Sequence, residues 1–315
     1  MSLLITGGAG FIGSHLVARV LKDYSVVCVD SFNDYYNPRW KEDNVRTFLN
    51  KPNFSLHRID ITDESALRAV FKSHEIDGIV HLAARAGVRP SIDQPRLYQE
   101  VNVGGSLNVL ELAREFGVKQ VVLGSTSSVY GNQQKVPFSE TDPVDHPISP
   151  YSATKKAMEL LGHTYSYLHG MNITCLRFFT VYGPGGRPDM APYLFTEAIL
   201  HGKSIKKFGD GSSRRDYTFV EDIVDGIVKA IENPFRYEII NLGNNTPVTL
   251  NQFIETLETI TGKSMVFDRY PIQPGDVDQT FADISKAKSL LGWEPKTSFE
   301  DGLREFVSWY KKVRG

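Results

Sequence analysis

Tyr151 and Lys155 stand four residues apart in Tyr151-Ser-Ala-Thr-Lys155, directly after Ser149-Pro150. Proline suits the first turn of a helix, and that spacing puts both side chains on one helix face. A phenol with a pKa of ~10 is a poor base at neutral pH, but a neighbouring ammonium and an oxidised nicotinamide both favour the phenolate. Such a tyrosine can exchange a proton with a sugar hydroxyl. Upstream, Ser125-Thr126-Ser127-Ser128-Val129-Tyr130-Gly131 closes a strand-like run with a cluster of hydroxyls. Thr126 is the candidate third member, able to bond the oxygen that Tyr151 deprotonates. Taken singly, the Tyr and Lys also fit a surface packing pair, and the hydroxyls also fit an ordinary turn.

Gly7-Gly8-Ala9-Gly10-Phe11-Ile12-Gly13 lies between a first strand and a helix whose apolar side includes Phe11, Ile12, Leu16, Val17 and Val20. Glycines at 7, 10 and 13 allow a tight turn, close approach to a pyrophosphate and packing of helix on strand, while the helix N-terminus offers N–H groups and a positive dipole end. Alone, this also fits an ordinary strand-to-helix connection. Asp30, at the end of the second strand, is the acceptor that a ribose diol needs about 20 positions beyond the glycines. The pattern therefore favours NAD, since a 2′-phosphate would be repelled by Asp30, with Arg39 and Lys41 close enough in sequence to offset part of that. Asp60-Ile61 and Leu82-Ala83-Ala84 end the next strands, where they could flank the adenine and phosphates or simply pack.

These residues need a scaffold. β-Branched runs at Leu3–Thr6, Ser25–Asp30, Phe54–Ile59, Asp77–Leu82, Val118–Ser125 and Asn172–Phe178 alternate with helical patterns. The alternation predicts an α/β fold, a doubly wound parallel sheet with helices on both faces. Helices are expected over Ala191–His201, Glu221–Glu232, Leu250–Thr261, Ile284–Leu291 and Phe299–Lys312. The expected division is a cofactor domain over 1–180, receiving part of 216–243, and a substrate domain mainly over 181–315. With 35 Lys+Arg against 37 Asp+Glu, no charge excess draws nucleic acid or an anionic membrane. No apolar run approaches the ~20 residues of a membrane span. A strand begins at Leu3, leaving no room for a secretory leader, so a cytoplasmic protein is expected. Cys28 and Cys175 read as buried thiols, and no metal site is expected.

Gly7-x-x-Gly10-x-x-Gly13, Thr126-Ser-Ser-Val-Tyr-Gly and Tyr151-x-x-x-Lys155, in this order, resemble the extended short-chain dehydrogenase/reductase family of nucleotide-sugar epimerases and dehydratases. Ala86-Gly87-Val88-Arg89, Arg177-Phe-Phe-Thr-Val-Tyr-Gly183-Pro and Gly186-Arg187-Pro188-Asp189-Met190-Ala191 resemble its UDP-glucuronate 4-epimerase branch. Gly185 departs from that branch, which often has tryptophan there, and loosens one wall of the substrate region.

The resemblance implies a Rossmann domain holding NAD and a smaller C-terminal α/β domain gripping UDP. It implies Thr126, Tyr151 and Lys155 as the catalytic trio, Arg215 on the diphosphate with Arg187 as a second anion contact, and Asp276 on the uridine ribose. Ser127, Ser128 and Thr180 would hold the uronate carboxylate, with Arg89 adding charge. Dehydration is disfavoured because Ser127 and Ser128 occupy the positions of an acid–base pair. A UDP-glucuronate decarboxylase, a UDP-glucose/galactose epimerase and a non-catalytic NAD sensor stay as alternatives. A homodimer is implied through helices at Asp93–Phe116 and Tyr151–His169.

Overall fold

A computed structural model describes residues 1–271 and 279–314 of the chain. Seven strands form the central sheet: β1 (Ser2–Thr6), β2 (Ser25–Asp30), β3 (Phe54–Arg58), β4 (Gly78–His81), β5 (Gln120–Thr126), β6 (Asn172–Phe178) and β7 (Tyr237–Leu242). Their order is β7-β6-β5-β4-β1-β2-β3, and every pairing is parallel. Runs such as Val26-Val27-Cys28-Val29 are buried on both faces, as a parallel sheet covered by helices requires. The strand order reverses between β1 and β4, which opens a crevice at their carboxyl ends.

One face is packed by α1 (Phe11–Val20) and α4 (Val220–Glu232), with Val17, Val20, Ile223 and Ile227 in its core. The other is packed by α2 (Ser106–Glu115) and α3 (Pro150–His169), with Val109, Leu110 and Met158 in its core. α3 starts with a reciprocal cap, Ser149 Oγ accepting from Ser152 N while the Ser152 hydroxyl accepts from Ser149 N, and Pro150 follows in the first turn. Gly162 brings the helix close to the sheet: a Cβ there would lie 3.0 Å from Leu123 and 3.2 Å from Ile173.

The helical pattern expected over Asp93–Phe116 is not one helix. It divides into Val88–Asp93, a turn at Pro95–Tyr98, a widened π-helical stretch at Gln99–Gly105, and α2. Pro95 lacks the N–H that would continue the first segment. Within the widened turn Asn102 is buried, accepting from Arg85 N at 2.7 Å and donating to Arg85 O at 3.0 Å and Thr154 Oγ1 at 3.1 Å. It thereby joins the loop after β4 to α3.

Beyond Thr180 the chain builds three two-stranded pairs: Thr180–Tyr182 with Tyr217–Phe219, Arg214–Arg215 with Val248–Thr249, and Ser204–Phe208 with Val266–Tyr270. Helices Ala191–His201, Leu250–Thr261 and Phe299–Val313 close an aromatic core that includes Tyr182, Tyr193, Phe195, Tyr217, Phe253 and Phe306. Midway the chain returns through α4 and β7 to extend the main sheet. Asp216, wholly buried, ties this return, its carboxylate accepting from Asn244 N, Asn245 N and Ala282 N at 2.6, 3.0 and 3.0 Å.

A Cβ on Gly13 would lie 2.1 Å from Gly7 O and 2.8 Å from Gly8 Cα, both backbone atoms that cannot swing aside. Gly13→Ala should therefore lower the unfolding free energy by about 1–3 kcal/mol. Urea melts read this directly, and a wild-type midpoint would contradict it.

Candidate active site

The crevice at the carboxyl ends of β1, β2, β4 and β5 holds a cavity of about 430 Å³. Gly7 has φ +72°, and a Cβ on it would meet Ala83 N at 2.7 Å, so the loops after β1 and β4 touch backbone to backbone. Gly7, Gly10, Phe11, Ile12 and Gly13 line this cavity, as do Asp60, Ile61, Leu82, Ala83 and Ala84. No side chain caps the N-terminus of α1 at Gly10, which leaves the first-turn donors available to a bound anion. Asp60 Oδ1 accepts from Thr62 N and Oγ1, so it also shapes its own turn.

Asp30 is buried at the end of β2. Its Oδ2 accepts from Ala9 N at 3.1 Å, and its Oδ1 accepts from Phe32 N at 2.9 Å. A carboxylate has about four acceptor positions, so capacity remains for vicinal hydroxyls. The nearby cation is Lys41, whose Nζ lies 3.8 Å from Asp30 Oδ1 and donates to Asn33 O and Oδ1 at 3.2 and 3.1 Å. Burial pushes the Lys41 pKa down, against the attraction of Asp30. A glycine cradle with no space for a Cβ and a carboxylate at ribose distance along the chain fit a dinucleotide such as NAD.

Thr126, Tyr151 and Lys155 all line the same cavity. Thr126 ends β5, where its Oγ1 donates to Ser128 Oγ at 3.1 Å and accepts from Ser128 N at 3.1 Å. Lys155 is buried, its Nζ donating to Gly124 O at 2.7 Å. Burial pushes its pKa down to about 8, and the Glu159 charge opposes the fall. Removal from water pushes the Tyr151 hydroxyl up, while a hydrogen bond with Thr126 and the charge of Arg187 pull it down. Two cations thus stand by this cavity: the Lys155 ammonium, turned to the β5 backbone, and the Arg187 guanidinium, whose charge lowers the Tyr151 hydroxyl. Tyr98 meets Tyr151 edge-on, ring centroids 6.2 Å apart, and its hydroxyl donates to Ala86 O at 2.5 Å.

Arg187 lines the Tyr151 cavity together with Ser127, Ser128 and Thr180. Its Nε and Nη2 donate to the two Asp189 oxygens at 2.9 and 2.6 Å, and Tyr35 donates its hydroxyl to Asp189 Oδ2 at 3.2 Å. Gly87, at φ +99°, leaves room for that phenol, since a Cβ would lie 2.5 Å from its oxygen. A wider cleft of about 1070 Å³ lies alongside, lined among others by Arg89, Asp189, Arg214, Arg215 and Gln279. Arg187 lines the cavity with Tyr151, and Arg215 lines the wide cleft alongside. Arg89 also lines the wide cleft. Asp276 lies outside the described residues. Gly185 has φ +75°, and the atoms nearest to a Cβ there would be His15 Nε2 at 3.8 Å and Phe11 at 3.9 Å, so α1 stands behind the space a larger side chain would fill. Among the described residues, no three His, Cys, Asp or Glu side chains converge on a metal position, and no helix is long and apolar enough to cross a membrane.

Sequence reasoning missed Tyr35, Tyr98, Asn102 and Asp189. Only the Arg187-Pro-Asp189 spacing carried a local signal, because Tyr35 and Asp189 are 154 positions apart.

The sequence pattern of the GDP-mannose 4,6 dehydratase family matches residues 4–306. The chain belongs to this family. Within it, the chain is 47% identical over 311 residues to the UDP-glucuronate 4-epimerase of Thermodesulfobacterium geofontis, covering 98% of this chain and 96% of that one. Its fold is similar to that of the Bacillus cereus UDP-glucuronic acid 4-epimerase, crystallised with UDP-glucuronic acid and NAD, at TM-score 0.92 and 36% identity, covering 99% and 100% of the two chains. It is also similar to the Thermotoga maritima UDP-glucose 4-epimerase bound to UDP-glucose, at TM-score 0.91 and 36% identity, covering 100% of both. The parallel seven-stranded α/β Rossmann architecture is thus that of NAD-dependent family members.

An unfolded lysine titrates near 10.5 and the folded Lys155 near 8. Between these values the unfolded chain binds more protons, so the Lys155 contribution to unfolding free energy rises with pH, by up to about 3 kcal/mol. Below pH 8 both states are protonated and the contribution is flat. The wild-type minus Lys155→Met difference in urea stability should climb from pH 8 to 10.5, and a flat difference would refute the burial of a charged Lys155.

Proposed function

We propose that the protein interconverts UDP-glucuronate and UDP-galacturonate by reversible oxidation at sugar C4, with NAD retained on the enzyme. The observation that carries this reading is the convergence of Tyr151, Thr126 and Arg187 on one cavity beside the glycine cradle. The curated relative and the Bacillus cereus structure support it.

NAD, when bound, supplies the acceptor and donor of the C4 hydride at its nicotinamide. Tyr151 takes the C4 hydroxyl proton and later returns it. Thr126, in the same cavity as Tyr151, orients the same oxygen. Lys155, fixed on Gly124 O, holds a buried positive charge in the cavity, where it favours the phenolate. Asp30 takes the adenosine ribose, and Gly10 to Gly13 take the pyrophosphate. Once C4 is a ketone, the uronate is a β-keto acid that can lose carbon dioxide. Arg187 with Ser127, Ser128 and Thr180 can hold the carboxylate in an orientation that resists cleavage. A neutral hexose would leave Arg187 facing no anion but Asp189, which favours the uronate over UDP-glucose. Arg215 and Arg89 line the wide cleft and take the diphosphate side, with Asp276 on the uridine ribose. The exposed Leu107, Leu160, Tyr167 and Leu168 on α2 and α3 offer an apolar face for a homodimer, which light scattering tests; a monomer would remove it.

Purified protein given UDP-glucuronate should form UDP-galacturonate and keep the original C4 hydrogen in deuterated solvent. Tyr151→Phe should reduce turnover by about 10²- to 10⁴-fold. Deuterium at C4, a UDP-pentose as main product, a preference for UDP-glucose in a substrate panel, or full activity of Tyr151→Phe would each reject the assignment.

A further inference from the structure

Behind the Tyr151 cavity lies a buried polar cluster that the proposed reaction does not touch. Glu159, on α3 four residues beyond Lys155, has no exposed surface, and Arg177 on β6 has almost none. Arg177 Nε and Nη2 each donate to a Glu159 oxygen at 2.9 Å, and Ser125 Oγ donates to Glu159 Oε1 at 2.7 Å. Tyr237 on β7 donates its hydroxyl to Glu159 O at 3.0 Å. The Arg177 guanidinium lies 4.8 Å from the centre of the Tyr130 ring, whose hydroxyl donates to Asn241 Oδ1 at 2.7 Å. Sheet register sets Ser125 beside Arg177 and Thr126 beside Phe178.

Burying two charges to join a helix to a sheet is a poor way to gain stability, because desolvation of both ions offsets much of their attraction. The placement, however, is specific. Consecutive residues of β5 face α3 side chains: Gly124 O takes Lys155 and Ser125 Oγ binds Glu159, while Thr126 shares the cavity with Tyr151. On the reading of function given above, we infer that Glu159 is a positioning residue, fixing the register of α3 against the end of β5 through Ser125 and Arg177 and balancing the charge of Lys155.

The surroundings of Lys155 assign the balancing charge. Cys175 on β6 is a buried thiol pushed up by burial and by Glu159, so it stays neutral. His81 on β4, held between Thr6 Oγ1 at 2.7 Å and Ser106 Oγ at 2.9 Å, is pushed down to about 3 by burial and by Lys155, and is neutral too. Tyr151 precedes Lys155 by one turn and is neutral at rest. Glu159 itself faces Arg177, Lys156 at 3.7 Å, and the Tyr237 and Tyr130 side of the cluster.

Two variants test the inference. Glu159→Gln keeps the shape and an acceptor for Ser125 but removes the charge. In protein labelled with ¹³C at lysine Cε, with the Lys155 resonance assigned through Lys155→Met, its titration midpoint should fall by about one pH unit relative to wild type. This readout needs no substrate. Ser125→Ala leaves the Glu159–Arg177 pair intact and frees only the tie to β5. It should lower kcat about 10- to 100-fold with KM little changed, and Ser125→Thr should recover most of the loss. If loss of the charge prevents Glu159→Gln from folding, Ser125→Ala alone decides. An unchanged Lys155 midpoint in folded Glu159→Gln, or wild-type kcat in Ser125→Ala, would overturn the inference. A wild-type protein that does not turn over UDP-glucuronate would count against the proposed reaction instead, and the resonance midpoint would then decide the role of Glu159.

Discussion

The contact between the end of β1 and the first turn of α1 leaves no room for any side chain, and the geometry of the crevice depends on it. Gly13 sits so close to Gly7 and Gly8 that a single methyl would overlap backbone atoms, while Gly7 presses on Ala83 from the loop after β4. Three segments are thus brought together by missing Cβ atoms. The helix terminus, the Asp30 carboxylate bonded to Ala9 N, and the strand end that leads to Ala83 and Ala84 acquire their relative positions from that packing. The sheet contributes the crevice, since strand order reverses between β1 and β4.

On the opposite side of the crevice, polar groups do the corresponding work. Lys155 is a buried ammonium with one backbone acceptor, and Arg187 is a guanidinium held by Asp189, which also accepts from the Tyr35 hydroxyl. The two cations have different duties because their partners differ. Lys155 is turned into the sheet and is sensitive to its protonation, whereas Arg187 stays charged and faces Tyr151. A lysine in place of Arg187 would lose the two parallel bonds to Asp189 and with them the fixed direction of the charge.

Much of the sheet was legible from short β-branched runs: Ser25–Asp30 and Asn172–Phe178 are strands over the expected residues. The helices Ala191–His201 and Leu250–Thr261 likewise match their apolar periodicity. The Asp93–Phe116 segment was misread because its periodicity survives a proline turn and a widened π-helical stretch, neither of which shifts the apolar spacing enough to see. Within the site, the cavity does bring together the glycines, Asp30, Thr126, Tyr151 and Lys155, whose local motifs are short and contiguous. The direction of the Lys155 ammonium was not legible, since spacing along a helix does not tell whether a side chain meets its neighbour or the strand beneath. Nor was the Arg187–Asp189–Tyr35 cluster, which joins loops distant in the chain.

The return of the chain through α4 and β7 has a consequence for the molecule's architecture. The polypeptide enters the smaller lobe after β6, goes back to complete the sheet, and leaves again toward Ala282, with Asp216 holding the three passages by its carboxylate. No single cut therefore separates the lobes: one made after Thr180 would strip β7 from the edge of β6 and α4 from the flank of α1. The two halves are therefore interleaved along the chain, and neither is a single continuous segment.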